Sequence, residues 1–301
     1  MILSKAQPLD TKLAILGCLF GACCWGIIWY PYRILAESGL AGIASSIYTY
    51  IVAVSIGCVL FAKHWRAIKD IPKSIIWLCL VAGWTNLSYV VAVIDGEVMR
   101  VMLLFYLSPI WTLILAHFWL HEKTTKTGYI AITISLMGAY IMLTNPLSGT
   151  LSLPIPQSKS DWLALSAGMG FALTNVITRK ASYLSLHAKS FAVWIGVIAM
   201  VLLWLPFIHT SLPAPQLITL KQWLIIVLIA LLIMAATYFV QYGVTKITAT
   251  RASVLFLFEL IVAAVASYYL TSEVMTLSEW IGGALILSAA VFAALNHPNE
   301  H

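Results

Sequence analysis

The chain contains two copies of one apolar unit. Two registers carry the match: they align Leu19–Arg33 with Leu165–Arg179 and Arg100–Phe105 with Arg251–Phe256, together with Glu122 on Glu273 and Tyr129 on Trp280. Because 61% of the residues are apolar and only 9% are charged, the unit belongs in a lipid bilayer rather than in water. A duplicated membrane unit predicts a helical bundle in which two related halves face each other.

Ten runs of the chain are long and apolar enough to cross a bilayer as helices, which needs about 20 residues each. They lie at residues 12–32, 42–62, 74–94, 98–119, 127–144, 161–180, 188–208, 222–243, 249–270 and 278–295. The long connection from Asn145 to Ser160 contains Pro146, Gly149, Pro154 and Pro156, which do not continue a helix. We therefore predict an all-α membrane protein with repeats at 1–145 and 161–301, joined by a loop at 146–160.

The basic residues predict the orientation of the chain. With the N-terminus in the cytoplasm, 13 of the 17 Lys and Arg residues face inward: Lys5, Lys12, Lys63, Arg66, Lys69, Lys73, Lys123, Lys126, Arg179, Lys180, Lys189, Lys246 and Arg251. We expect both termini in the cytoplasm and the chain in the inner, cytoplasmic membrane. Since each copy has five spans, the second copy enters from the opposite side, and the repeat is predicted to be inverted.

Several other interpretations of the charges and cysteines are set aside. The basic residues lie in short loops rather than in a patch, so the net charge of +6 reflects topology and not a nucleic-acid partner. All five cysteines lie in apolar runs without metal-ligand spacing, and we read them as packing residues.

Asp95, Glu97 and Arg100 share one tight turn between the third and fourth spans. We expect a local ion pair there, with an outer gate to Arg33 as the alternative.

Particular stretches resemble the EamA type of the drug/metabolite transporter superfamily. They are Gly21–Trp29, Leu103–Trp111 with the following Glu122-Lys123, and Phe256–Ala264 with Glu273 as the counterpart of Glu122. The resemblance covers nearly the whole chain. It implies ten spans in two inverted units and a central cavity walled by spans 1, 3, 4, 6, 8 and 9. The family often has Glu-Pro in the ninth span where this chain has Glu259-Leu260, which leaves a kink there open.

The resemblance implies secondary transport of small metabolites, many family members being exporters of amino acids and related compounds. We expect alternating access between the halves, with import and lipid or lipid-headgroup flipping as alternatives. The sequence contains no Walker loop, zinc motif or nucleophile elbow, so we expect neither an enzyme nor a cofactor or metal. The expected partners are a small-molecule substrate and the lipid bilayer, with protons as an open alternative for the driving force. The oligomeric state, monomer or dimer, stays open.

Two residues within the spans have special chemistry. Glu259 is the carboxylate near the middle of the ninth span, where a charge costs about 2.5–3.5 kcal/mol. It is either a proton-coupling or substrate-amine site, or a structural acid that hydrogen-bonds a neighbouring helix. Pro109 removes a hydrogen bond midway along the fourth span and predicts a kink there, either beside the cavity as a hinge or as a static bend.

Aromatic and neutral polar residues complete the predicted substrate site. Deep aromatic residues fit a cavity for an amphipathic solute, although each of them also fits simple packing. Amide side chains in hydrocarbon need partners, which are either solute or other helices. The residues that we predict to bind substrate are Trp25, Trp29, Asn86, Tyr89, Tyr106, Trp111, Asn175, Tyr238 and Glu259.

Overall fold

The computed structural model describes residues 8–40, 42–61, 72–144, 155–207, 212–271 and 274–295, and within these ranges the chain is helical, without strands. The predicted connection at 146–160 lies largely outside the described residues, as does Glu273. Ten long helices follow one another in these ranges: α1 Pro8–Glu37, α2 Gly42–Leu60, α3 Lys73–Asp95, α4 Val98–Phe105 and Ser108–Leu115, α5 Lys126–Thr144, α6 Lys159–Lys180, α7 Leu186–Trp204, α8 Leu220–Lys246, α9 Ala249–Phe256 and Phe258–Leu270, and α10 Leu277–Leu295.

In the described part of the chain, nine of these helices have the length and apolar composition of a membrane span. The exception is α6, which at 22 residues is long enough but carries Asp161, Thr174, Asn175 and Arg179. Two of these residues are buried within the protein, Asn175 being 4% exposed and Asp161 2% exposed, and Thr174 and Arg179 are partly buried. A helix that is surrounded by protein can be more polar than one that faces hydrocarbon.

The helix contacts follow a two-fold pattern. Helix α1 packs along α8, and its counterpart α6 packs along α3, the counterpart of α8. In the same way, α1 contacts α9 while α6 contacts α4, and α5 packs against its own counterpart α10. The first helix of each repeat therefore packs mainly against helices of the other repeat, and these contacts hold the two halves of the bundle together.

Contacts at the helix ends show that the repeats are inverted. Lys246 Nζ at the end of α8 lies 3.2 Å from Asp10 Oδ2 at the start of α1, so these two packed helices run in opposite directions. Arg179 at the end of α6 donates to the carbonyl of Thr245 at the end of α8, at 2.6 Å, so α6 runs with α8. The first helices of the two repeats are thus antiparallel. We call the side that holds these four residues the basic side.

Glycines allow the closest helix approaches. A Cβ at Gly17 would lie 2.8 Å from the carbonyl oxygen of Phe239, where α1 crosses α8. Where α5 crosses α10, a Cβ at Gly138 would lie 2.7 Å from the Gly282 carbonyl oxygen, and one at Gly282 would lie 2.5 Å from the Gly138 carbonyl oxygen. Such reciprocal contacts between backbones are the membrane form of tight packing, in which van der Waals contact replaces the hydrophobic effect.

Candidate substrate site

The candidate site lies where two helices are interrupted at matching positions. Helix α4 stops at Phe105 and resumes at Ser108, and α9 stops at Phe256 and resumes at Phe258. The register that aligns Arg100 with Arg251 also aligns the two breaks. The predicted run at 98–119 and the run at 249–270 are therefore not single continuous α-helices. Paired interruptions in an inverted repeat are the usual place for a midplane binding site.

The two breaks have different causes in the sequence. Pro109 lacks an N–H, so the carbonyl of Phe105 has no helical donor, and the chain turns through a 3.4 Å hydrogen bond from Leu107 N to Leu104 O. The residue that matches Pro109 in the second repeat is Leu260, which keeps its N–H. Helix α9 is nevertheless interrupted, so proline is not required for the break, which sequence reasoning had left open.

Each break packs against a small residue of the other half. The freed Phe105 carbonyl lies against Gly168 of α6, where a Cβ would come within 2.5 Å of the oxygen. Just after the second break, the carbonyl of Glu259, in the following helical segment, lies against Gly26 of α1, where a Cβ would come within 2.8 Å. Irregular backbone at membrane depth is thereby enclosed by protein, as its unpaired polar groups require.

A carboxyl group and two phenols meet beside the breaks. Glu259 occupies the first turn of the second α9 segment, and its carboxyl group lies beside the hydroxyl of Tyr106, the residue at which α4 is interrupted. Tyr89 of α3 lies close to both side chains. Among the described residues, no Lys or Arg forms an ion pair with Glu259. The carboxyl therefore faces neutral hydroxyl groups, and Glu259 as a residue is partly buried.

An aromatic cluster surrounds this polar group. The Phe171 ring is in contact with Trp25 (centroids 5.8 Å apart), with Phe256 (5.5 Å) and with Phe105 (5.6 Å), and Phe105 is 4.9 Å from Tyr89. These rings come from α1, α3, α4, α6 and α9, and so from both halves. Sequence reasoning missed the three phenylalanines as site residues. A signal was available for two of them, because Phe105 and Phe256 overlay each other in the repeat.

The other predicted site residues are divided between different places. Asn86 is bonded to α2, accepting from Ser46 Oγ (3.1 Å) and donating to Tyr50 Oη (3.3 Å). Tyr238 packs against His187 near the basic side, with ring centroids 5.6 Å apart. Thus the structure brings together Trp25, Tyr89, Tyr106 and Glu259, whereas the amide of Asn86 serves a contact between helices and Tyr238 lies apart.

Three predicted residues have buried polar atoms without a partner in the described chain. The indole nitrogens of Trp29 and Trp111 are buried in this way, and so is the amide nitrogen of Asn175. A buried donor without a partner costs about 1–3 kcal/mol, so such groups are rare in folded proteins and call for a physical reason. All three atoms are hydrogen-bond donors, and they lie on α1, α4 and α6.

On the basic side, Glu122 joins three helices. Its Oε1 accepts from Arg179 Nε of α6 at 3.0 Å, and its Oε2 accepts from the backbone N–H of Ala249 at 3.0 Å, the first residue of α9. Arg179 also donates to the Thr245 carbonyl, so the ends of α4, α6 and α8 and the start of α9 are tied together. Both charged side chains are mostly buried, at 16% and 14% exposed.

The opposite side is arranged differently. Arg33, which matches Arg179 in the repeat, pairs with Glu37 of its own helix and is 51% exposed. Arg100 does not form the local ion pair that its turn had suggested. Instead its Nε donates to Asp161 Oδ2 of α6 at 2.7 Å, and its Nη2 donates to the carbonyl of Ile155. The Asp161 carboxylate is fixed at the start of α6 by its own capping box, so it is the better placed partner.

Comparisons with known proteins agree with this architecture. Residues 12–144 and 158–295 each match the EamA-like transporter family. A protein of Archaeoglobus fulgidus described as an uncharacterized transporter is 23% identical over 224 residues, which is 73% of this chain and 76% of the relative. A solved crystal structure of a protein superposes with a TM-score of 0.76 at 14% identity, covering 94% of this chain and 96% of the other, and it supports the fold alone.

Proposed function

Because the chain belongs to the EamA-like transporter family, and so is a multi-pass membrane transporter of the drug/metabolite type, we propose that it is a secondary active transporter of small amphipathic metabolites. Amino acids and related compounds are the leading substrate class, moved outward by alternating access between the two halves. The observation that carries this proposal is the contact of Glu259 with Tyr106 at two matched helix breaks. No chemical conversion of the solute is part of it.

The side chains around Glu259 support an amphipathic solute. A carboxylate can bind an amine, and the neighbouring hydroxyl groups of Tyr89 and Tyr106 can hydrogen-bond a polar substituent. The rings of Trp25, Phe171 and Phe256 offer apolar surface and can face a cation. A solute with one amine and one apolar end matches both parts of this wall.

Glu259 is also the proposed point of coupling to protons. In its ionised form the carboxylate binds the solute amine, and in its protonated form it releases the amine and donates to a neighbouring hydroxyl group. One proton bound for each amine released gives antiport. The groups that face Glu259 from α3 and α4 are the neutral Tyr89 and Tyr106, and among the described residues no Lys or Arg pairs with it in competition with the proton or the amine.

The contacts on the basic side support the alternating-access part of the proposal. Glu122 and Arg179 tie the ends of α4, α6 and α8 to the start of α9, whereas Arg33 at the matching position of the first repeat is half-exposed and paired only within its helix. The contacts around Arg179 are buried, whereas the ion pair of Arg33 is exposed, and this difference corresponds to a conformation closed on the basic side. If the contacts on the basic side open and matching contacts form on the opposite side, the solute site becomes accessible from the basic side instead.

Uptake into liposomes tests the proposal. Purified protein is reconstituted, and labelled amino acids and metabolites are offered with and without an imposed pH gradient. We expect one class of solute to accumulate in the liposomes, and we expect the pH gradient to increase the rate of its uptake. Glu259→Gln should abolish the acceleration, and Glu37→Gln, at a carboxylate that is 65% exposed, is the matched control. Gradient-driven uptake that Glu259→Gln leaves intact would contradict proton coupling.

The same liposomes separate the alternatives. Sided addition of the solute, with the orientation of the protein determined by protease cleavage, distinguishes export from import. If none of the solutes accumulates while a labelled lipid moves between leaflets, the lipid-flipping alternative replaces the transport of solutes.

A further inference from the structure

Lys189 is a fully buried lysine in the first turn of α7, on the basic side. Its exposed fraction is 0%, and it is among the largest buried side chains of the protein. Its ammonium group donates to the hydroxyl of Thr245 at 2.5 Å. Among the described residues, no carboxylate lies within ion-pair distance of it. A buried ammonium whose partner is a neutral hydroxyl is costly, and such groups in membrane proteins usually serve a function.

A second cation stands beside this lysine. Arg179 lies close enough for its charge to act on Lys189, and both donate to Thr245, one to the carbonyl and the other to the hydroxyl. The one carboxylate of this cluster, Glu122, has both oxygens occupied, by Arg179 and by the N–H of Ala249. The cluster therefore contains two positive charges and one negative charge. One positive charge is left for an anionic group.

Further buried polar atoms continue the cluster into the bundle. Asn175 precedes Arg179 by one helical turn, so the two share a face of α6, and the Asn175 amide nitrogen is buried without a partner in the described chain. On α8, Gln241 precedes Thr245 by one turn in the same way, and its Oε1 is also buried and unpartnered. The donor of Asn175 suits an anion, and the acceptor of Gln241 suits an N–H of the same ligand.

We propose that Lys189, Arg179 and Asn175 form a binding site on the basic side for the carboxylate of the transported solute. The inference rests on the proposed transport function and names a substrate class for it, solutes that carry a carboxylate. When the end of α8 withdraws, Thr245 leaves both cations, and the carboxylate of the solute replaces it. Each cation then exchanges a neutral acceptor oxygen of Thr245 for an ionised carboxylate oxygen of the solute.

This site is separate from the one at Glu259. Ala249, which bonds to the cluster, and Glu259 are ten residues apart along α9, which at a helical rise of about 1.5 Å per residue is roughly 15 Å. It is also confined to one side of the bundle. The fourth residue of α7 is Lys189, whereas the fourth residue of α2, its counterpart, is Ser45, so the corresponding position of α2 is not a cation.

Equilibrium binding in nanodiscs of neutral phosphatidylcholine tests this site. The probes are L-phenylalanine and L-leucine, each compared with its amide, and the readout is the dissociation constant from the ligand-induced rise in melting temperature. We expect the wild type to prefer the acids over the amides. Lys189→Gln should remove the preference and weaken binding of the acids about tenfold or more, because a charge-assisted contact is lost. Lys189→Arg should retain the preference, and so should Lys180→Gln, a control at an exposed lysine on the same side.

Three results would overturn the proposal. They are equal binding of acid and amide by the wild type, an unchanged preference in Lys189→Gln, and stabilisation by phosphatidylglycerol without solute that depends on Lys189. The last result would assign the cation to a lipid headgroup. If the neutral variant does not fold, acylation of Lys189 in the wild type, followed by peptide mass spectrometry, decides the question: protection by the acids and not by the amides is expected, and equal rates contradict it.

The outcome is independent of the transport assay. A protein that transports solute in liposomes but shows no Lys189-dependent preference for acids leaves the proposed function intact and removes this site. A protein that binds acids through Lys189 but transports none of them keeps the site and removes the function.

Discussion

Replacing Glu122 by Gln tests whether the buried cluster on the basic side holds the bundle closed there. Glu122 accepts from Arg179 Nε and from the N–H of Ala249, both at 3.0 Å. Removing one charge of a mostly buried pair costs about 3–5 kcal/mol when the other charge is left unpaired. Gln retains one acceptor oxygen for one of the two donors, so we expect about 2–3 kcal/mol.

In a bundle with two conformations, this cost acts on the conformation that contains the contact. A loss of 2–3 kcal/mol in the closed conformation raises the population open to the basic side about 30- to 150-fold relative to it. Thr178, which precedes Arg179 and is 1% exposed, is a suitable reporter position. A cysteine is placed there in a background without the five native cysteines, and an impermeant maleimide is added from the basic side. The labelling rate should rise in Glu122→Gln by a factor in the same range of about 30- to 150-fold.

Two controls make the result decisive. Glu37→Gln removes a carboxylate from an exposed pair, which costs about 0–1 kcal/mol, and should leave the labelling rate unchanged. A cysteine at Ser135, which is 0% exposed in α5, reports unfolding and should stay unlabelled in all variants. An unchanged labelling rate at position 178 in folded Glu122→Gln would refute the reasoning that this cluster closes the basic side.

Three further predictions concern packing, a second buried ion pair and the polar centre. Gly282→Ala should lower the melting temperature, because its Cβ would lie 2.5 Å from a backbone oxygen and overpacking costs about 1–3 kcal/mol, whereas the adjacent Gly283→Ala, with its nearest atom at 3.9 Å, should leave it unchanged or raise it. Arg100→Gln should destabilise the purified protein by about 2–4 kcal/mol, measured by urea unfolding, because the side chain of Asp161 is only 3% exposed and would be left without its cation. An unchanged midpoint would show that the pair is dispensable. Tyr106→Phe removes the hydroxyl that meets the central carboxyl group and should reduce gradient-driven uptake several-fold at unchanged expression, a loss of about 0.5–1.5 kcal/mol; uptake equal to the wild type would exclude a role for the hydroxyl.

The number and order of the helices could be predicted because hydrophobicity along the chain is a local property. Even α6, which carries more polar residues than the other helices, was counted as one of the ten apolar runs, at residues 161–180. The break in α4 had a local cause in Pro109. That in α9 had none in the sequence, because Leu257 and Leu260 impose no backbone constraint of their own.

The site was harder to predict because apolar and aromatic residues are stable both against lipid and against other helices. Glu259 and Tyr106 were identified by their chemistry, and the structure brings them together. Asn86 was selected by the same reasoning, yet its partners lie on α2. Phe171 was missed, since nothing in its local sequence distinguishes a ring that faces a polar centre from one that faces hydrocarbon.

The sequence by itself determined that this chain is an inverted duplication of five apolar helices, because span length and charge bias are local properties of the chain and the repeat is visible when the two halves are aligned. Only the tertiary structure decided which helix faces meet, that Arg100 pairs with Asp161 rather than within its turn, and that Lys189 lies beside Arg179 with one charge unbalanced. The physical reason is that pairing of charges and hydroxyl groups depends on distances of a few ångströms between helices that are far apart in sequence, and no local pattern encodes those distances.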